Sequence, residues 1–199
     1  MRRPFHKMHG LGNDFVIVDA REQAFDVTPP LARAIADRRT GVGCDQLIVL
    51  EPSDAADLRM RIWNSDGGEV ESCGNASRCV VALTHAKTIE TGGGLVTGTE
   101  HSSDIEVTLG EPHFEWDKVP LTYAMSTNPM PMAWGELERP FAVNVGNPHL
   151  VCALSTPLDL LDLYRIRWDL ADLAVRAPNP QERLHSFLTR YLDTLKATI

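Results

Sequence analysis

The sequence predicts an α+β fold, a strand-rich body followed by a helical tail, and three observations carry that reading. Short apolar runs rich in β-branched residues recur up to Leu154, separated by Gly and Pro clusters, as strands and turns are. One stretch, Ala76 to Ala86, instead disposes Val80, Val81, Leu83 and Thr84 at helical spacing. None of the 14 glycines lies after Gly146. Beyond it, Leu184, Phe187, Leu188, Tyr191, Leu192, Leu195 and Ile199 fall on one helical face.

The elements follow in order. Phe15 to Val18 is a continuous apolar run and reads as a buried strand. Pro29-Pro30 opens a helix over Leu31 to Arg38, because proline is tolerated in a first turn. Gly41-Val42-Gly43 ends it, and Gln46 to Leu50 is the next strand. Leu58 to Trp63 alternates, with Leu58, Met60 and Ile62 on one face, and predicts a half-exposed strand. Asp66-Gly67-Gly68 is a hairpin turn signal. Gly92–Gly94 marks a turn, and strands are expected again after it at Leu95–Thr99 and Ile105–Leu109. Residues 111–139, rich in Pro, Met, Trp and Thr, read as a crossing segment between domains. Phe141–Val145 and Leu150–Leu154 resume the strand pattern around Gly146-Asn147-Pro148-His149.

Composition excludes several classes. With 43% hydrophobic and 23% charged residues the chain buries a core of ordinary size. A net charge of -8 supplies no basic stripe to neutralise phosphates, so nucleic acid is not an expected partner. No apolar run approaches the roughly 20 residues that span a bilayer, and the charged start has no apolar stretch after it, so neither a membrane span nor a signal peptide is expected. Cys44, Cys73, Cys79 and Cys152 show no CxxC spacing. They are expected as reduced thiols in the cytoplasm, with no metal site.

The candidate chemistry centres on Cys73-Gly74-Asn75 at the expected helix start. Backbone N–H groups and the helix dipole there favour an anion such as an α-carboxylate. The same field is expected to lower the Cys73 pKa, placing a thiolate where it could take an α-proton. Gly74 allows close approach of a ligand to the backbone. A helix-start cysteine is also common as plain structure. Asn13, Gln46, Asn64 and Asn147 stand at strand ends or turns, where such residues serve as caps and turn formers or, converging, as ligand amides.

Five motifs then bear on family. Lys7-Met8-His9-Gly10-Leu11-Gly12-Asn13-Asp14-Phe15 is followed by Gly41-Val42-Gly43-Cys44-Asp45-Gln46-Leu47 and Asn64-Ser65-Asp66-Gly67-Gly68-Glu69. Cys73-Gly74-Asn75-Ala76-Ser77-Arg78-Cys79 and Gly146-Asn147-Pro148-His149 complete the series. In this order, over residues 5 to about 150, they resemble the diaminopimelate epimerase family. The resemblance implies two similar domains, each a β-barrel-like sheet wrapped round a central helix, with the ligand between them. It implies interconversion of LL- and meso-diaminopimelate by two cysteine thiols, without cofactor or metal. Cys73 would be the first thiol. Gly74 and Asn75 would bind the α-carboxylate through backbone N–H groups, Asn13, Gln46, Asn64 and Asn147 would line the site, and His149 would tune the thiols.

The sequence also departs from the family. Its later Glu-Arg-Gly stretch and the Ala-Cys-Gly motif bearing the second thiol have no counterpart after Gly146, and Cys152 lies too close to Asn147 to fill that role. Cys44, Ala76 and Leu150 each replace a more usual residue. The expected organisation is a first epimerase-like domain over 1–115, a truncated second one over 116–155 and a divergent helical tail over 156–199. Four functional readings follow: an epimerase, a non-catalytic homologue that at most binds ligand, a related racemase of another amino acid, and a homodimer presenting two Cys73 thiols across one cleft.

Overall fold

The computed structural model describes residues 3–119, 121, 123–134 and 137–152. The chain forms two compact units, the first Met1–Glu111 and the second starting at Pro112.

In the first unit β1 (His6–Gly10) runs antiparallel to β2 (Asn13–Asp19). The two-residue turn between them has positive φ at both Leu11 (54°) and Gly12 (88°), as a hairpin turn matched to strand twist requires. Helix α1 (Pro29–Ala36) is capped by Thr28, whose hydroxyl oxygen accepts the Leu31 N–H at 3.4 Å. It stops two residues before the expected Arg38, because Asp37 is extended and its N–H closes on the Arg33 carbonyl. Strand β3 (Gln46–Glu51) returns parallel to β2, and β4 (Leu58–Asn64) is antiparallel to β3. The Asp66-Gly67-Gly68 turn folds β5 (Glu69–Val70) back on β4 as expected. Helix α2 (Gly74–Thr84) leads to β6 (Thr88–Thr91), parallel to β4, and then to the antiparallel β7 (Gly94–Glu100) and β8 (Ile105–Thr108).

The sheet order is β1-β2-β3-β4-β6-β7-β8, with β5 paired to β4 off that path. Side chains alternate across it, so each central strand feeds two cores. Phe15, Ile17, Ile48, Leu50, Leu58, Met60 and Ile62 pack against Ala76, Cys79, Val80 and Val81 of α2. On the opposite face Val16, Val18, Leu47, Val49 and Trp63 pack under Ala32 and Ala36 of α1. A strand covered on both faces reads as an unbroken apolar run, which is why Phe15–Val18 shows no alternation.

This arrangement corrects one expectation. β4 is not half-exposed at its end: Trp63 is 3% exposed under α1, with the Arg61 guanidinium 4.6 Å from its ring centroid. Strands β1 and β6 were not expected. His6–Gly10 has a single apolar side chain, Met8, and Thr88–Thr91 is only four residues long, so neither carries a readable period.

Helix α2 packs against β1 at one end of the sheet and against β7 and β8 at the other. The sheet therefore curls around it, the expected sheet-round-a-helix architecture. Two glycines permit the close approach. A Cβ on Gly10 would lie 3.2 Å from Asn75 Cβ, and one on Gly98 would lie 2.4 Å from Val81 Cγ2.

In the second unit β9 (Ala133–Trp134) pairs with β10 (Leu137–Glu138), and β11 (Phe141–Asn144) with β12 (Pro148–Val151). Val119, Leu121, Met130 and Ala142 form a small core. Residues 111–139 are thus more than a crossing segment, since they hold a hairpin and most of that core. β12 begins earlier than the expected Leu150; the end of that strand expectation and the helical tail over 156–199 lie outside the described residues.

Candidate active site

Cys73 occupies the position just before α2, with extended backbone (φ -153°, ψ 106°). Its carbonyl accepts the Ser77 N–H at 2.9 Å and the Ser77 hydroxyl at 3.0 Å, so the residue is fixed to the first turn. Gly74, Asn75 and Ala76 precede the first intrahelical donor, which leaves their N–H groups unused by the helix. Those of Asn75 and Ala76 favour the anion of the Cys73 sulfur. The first turn carries no acidic side chain to compete for that field. Among the described residues the atom nearest to a Cβ built on Gly74 is Leu109 Cδ1, at 3.4 Å.

The sequence reading of the thiol's acidity needs correction. Burial pushes the Cys73 pKa up, and the N–H groups of Ala76 and Asn75 offset this only in part. Desolvation wins because the sulfur sits against the α2 core while its donors are two weak backbone dipoles. The resting form at neutral pH is the thiol. Burial likewise raises Cys44 and Cys79, which lie wholly inside the two cores.

Asn13 stands beside Cys73, its Oδ1 3.8 Å from Sγ. Its amide nitrogen donates to Asp45 Oδ2 at 3.0 Å. Asp45 and Asp14 clasp each other: Asp14 N–H donates to Asp45 Oδ2 and Asp45 N–H to Asp14 Oδ1, both at 2.9 Å. Arg38 bridges the two carboxylates, at 2.7 Å from Asp14 Oδ1 and 2.9 Å from Asp45 Oδ1. Lys7 donates to Asp14 at 2.6 Å and also to the Gly43 carbonyl. The Arg38 guanidinium, with Lys7 behind it, holds the Asp14 carboxyl far below the usual carboxylate range, and Arg38 is raised in turn.

Gln46 and Asn64 face each other across β3 and β4, with Gln46 Nε2 donating to Asn64 Oδ1 at 2.9 Å. Gln46 Oε1 is buried and has no hydrogen-bond partner among the described residues. A buried acceptor left open costs stability, which marks the position as a place for a ligand donor.

The structure thus brings Asn13, Gln46, Asn64, Cys73, Gly74 and Asn75 into one unit, with Asn13 in contact with Cys73 and Gln46 with Asn64. The Asn75 side-chain oxygen accepts from Arg78. Asn147 and His149 belong to the second unit, where His149 Nε2 donates to Asn147 Oδ1 at 2.9 Å. Burial lowers the His149 pKa, so the imidazole is neutral at pH 7. Sequence reasoning quoted Lys7, Asp14 and Asp45 within motifs without giving them a role. The available signal was two aspartates adjoining two candidate site amides, Asn13-Asp14 and Asp45-Gln46.

The family model for diaminopimelate epimerase matches residues 5–115. A diaminopimelate epimerase of Rhizorhabdus wittichii is 61% identical over 153 residues, covering 76% of this chain and 56% of the relative. That of Erythrobacter litoralis is 56% identical over 168 residues, covering 81% and 62%. The chain therefore spans little more than half the length of the curated relatives it matches. A solved hydroxyproline epimerase from Agrobacterium vitis, with bound trans-4-hydroxy-L-proline, superposes with a TM-score of 0.51 at 14% identity over 74% of this chain and 50% of that one, a likeness of fold. The five motifs, the sheet wound round α2 and these matches lead to one assignment: the chain belongs to the diaminopimelate epimerase family.

Proposed function

We propose that this chain carries one proton-transferring half of a cofactor-independent amino-acid epimerase acting on diaminopimelate. The observation that carries the reading is the seat of Cys73: a thiol at a helix start, beside backbone N–H groups that the helix leaves unused and next to the Asn13 amide. A substrate α-carboxylate would take the N–H groups of Gly74 and Asn75, and its ammonium would meet the open Gln46 oxygen. Asn13 and Asn64 would complete the polar lining of the first unit, and the family resemblance gives Asn147 a part in ligand binding and His149 one in the thiol's proton balance. Because burial raises the Cys73 pKa, its thiolate is a strong base once formed, and its thiol is protonated and ready to return a proton. The four described cysteines are free, which fits a reducing cytoplasm. Among the described residues no helix is long and apolar enough to cross a membrane.

One thiol serves one face of the α-carbon, so Cys73 alone would exchange the α-hydrogen with solvent and leave the configuration unchanged. Inversion needs a second thiol, from a further segment or from the Cys73 of a second copy in a homodimer. Proton NMR of LL-diaminopimelate in D2O with reduced protein tests this. Loss of the α-hydrogen signal, abolished by Cys73→Ser, is the expected result. Appearance of the meso isomer with a dimer in solution would favour the paired arrangement, while no exchange at all would refute the proposal.

A further inference from the structure

We propose that Asp45 is a positioning residue for Cys73, acting by fixing the Asn13 amide with its carbonyl oxygen towards the sulfur. The inference rests on the proposed role of Cys73 and concerns a residue to which that role gives nothing.

An asparagine amide can present either its oxygen or its nitrogen to a neighbour, and the two ends have opposite effects on a thiol. An oxygen accepts from S–H and stabilises the protonated form; an NH2 donates to a thiolate and stabilises the anion. What decides the orientation here is Asp45. Its carboxylate can only accept, and Oδ2 lies 3.0 Å from the Asn13 amide nitrogen, so the oxygen must turn to Sγ at 3.8 Å. Three further bonds hold Asp45. Oδ2 also holds the Asp14 N–H at 2.9 Å, Oδ1 holds Arg38 at 2.9 Å, and its own N–H is held by Asp14 at 2.9 Å. Arg38 is anchored in turn by two bonds to Asp14, at 2.7 and 3.1 Å. An ionic clasp thus stands one amide away from the Cys73 sulfur. The other charged or titratable groups acting on Cys73 among the described residues are Arg78, whose charge favours the thiolate, and the buried neighbouring thiol Cys79. Asp45 also opposes the thiolate through space, so charge and orientation must be separated.

Two substitutions separate them. Asp45→Asn removes the charge but keeps an oxygen that can accept from Asn13, while Asp45→Ala removes both. The readout is the pH dependence of Cys73 carbamidomethylation by iodoacetamide, followed on the Cys73 peptide by mass spectrometry, which needs no turnover. Asp45→Ala is expected to move the midpoint down by about one pH unit, or about tenfold in rate below the midpoint, as an amide free to turn donates to the thiolate. Asp45→Asn should move it by roughly half as much or less. In an Asn13→Ala background the two substitutions should coincide. Equal shifts from both in the unaltered background, or no shift from either, would overturn the proposal while leaving the acid/base role of Cys73 intact. Should Asp45→Ala not fold, NMR of the Asn13 side-chain amide in the unaltered chain decides. One slowly exchanging, downfield amide proton supports the bond to Asp45, and two protons that both exchange fast at the shifts of a solvated side-chain amide refute it.

Discussion

Gly98→Ala probes whether the sheet really closes on α2. Gly98 lies on β7 with its N–H on the Lys87 carbonyl at 2.9 Å, and an added Cβ would meet Val81 Cγ2 at 2.4 Å, with Val81 Cγ1 and the Ala86 carbonyl both at 3.2 Å. Val81 is 1% exposed in the middle of α2 and is β-branched, so its χ1 has one good rotamer there and cannot swing aside. Either α2 or β7 must move. Overpacking of this kind costs about 1–3 kcal/mol, against which replacing glycine recovers about 0.4–1 kcal/mol from the unfolded chain. The net expectation is a loss of about 1–2 kcal/mol. With a urea slope of about 2 kcal/mol per molar, the midpoint followed by far-UV circular dichroism should fall by about 0.5–1 M. Adding Val81→Ala should restore part of the loss, because the clash partner is gone, and the two changes should couple. An unchanged or raised midpoint for Gly98→Ala, or strict additivity with Val81→Ala, would refute the close packing of β7 on α2.

Other consequences concern charge and the hairpin. Asp14 has its pKa lowered by Arg38 and Lys7, so its contribution to stability is complete above the ordinary value of 3.8 and is lost as pH falls through the depressed one. Asp14→Asn should lower the urea midpoint at pH 7 and make its decline below pH 3.8 shallower than in the unaltered chain; an equally steep decline would contradict the assignment. Leu11 holds a left-handed φ of 54° with its side chain 92% exposed, so it bears backbone strain without packing in return. Leu11→Asn, which suits that conformation beside Gly12, should stabilise by about 0.5–1 kcal/mol and raise Tm by a few degrees; a lower Tm would mean the leucine is covered in solution.

Much of the fold could be read from residue order because its strands are covered on both faces. Phe15–Val18 and Gln46–Leu50 announce themselves as apolar runs, and the Pro29-Pro30 and Asp66-Gly67-Gly68 signals locate their breaks correctly. What escaped was structure stabilised by neighbours. β1 is polar and exists by pairing with β2, β6 is short and exists by pairing with β4 and β7, and the burial of Trp63 depends on α1 crossing that face. The same holds at the site. The motif residues identified Cys73 and its amide neighbours, but the helix-start argument counted the dipole and omitted desolvation, which reverses the direction of the thiol's shift. The clasp of Asp14, Asp45, Arg38 and Lys7 joins residues 7 to 45 through tertiary contacts, and no local spacing reports it.

If Cys73 lies in an amino-acid site at the start of α2, a bound amino acid should shield its sulfur. The most direct measurement is the rate of Cys73 carbamidomethylation, resolved by peptide mass spectrometry, with and without saturating LL-diaminopimelate. The ligand is expected to slow modification of Cys73 and to leave that of Cys152 unchanged. An unchanged rate at Cys73 in the presence of ligand would contradict that placement.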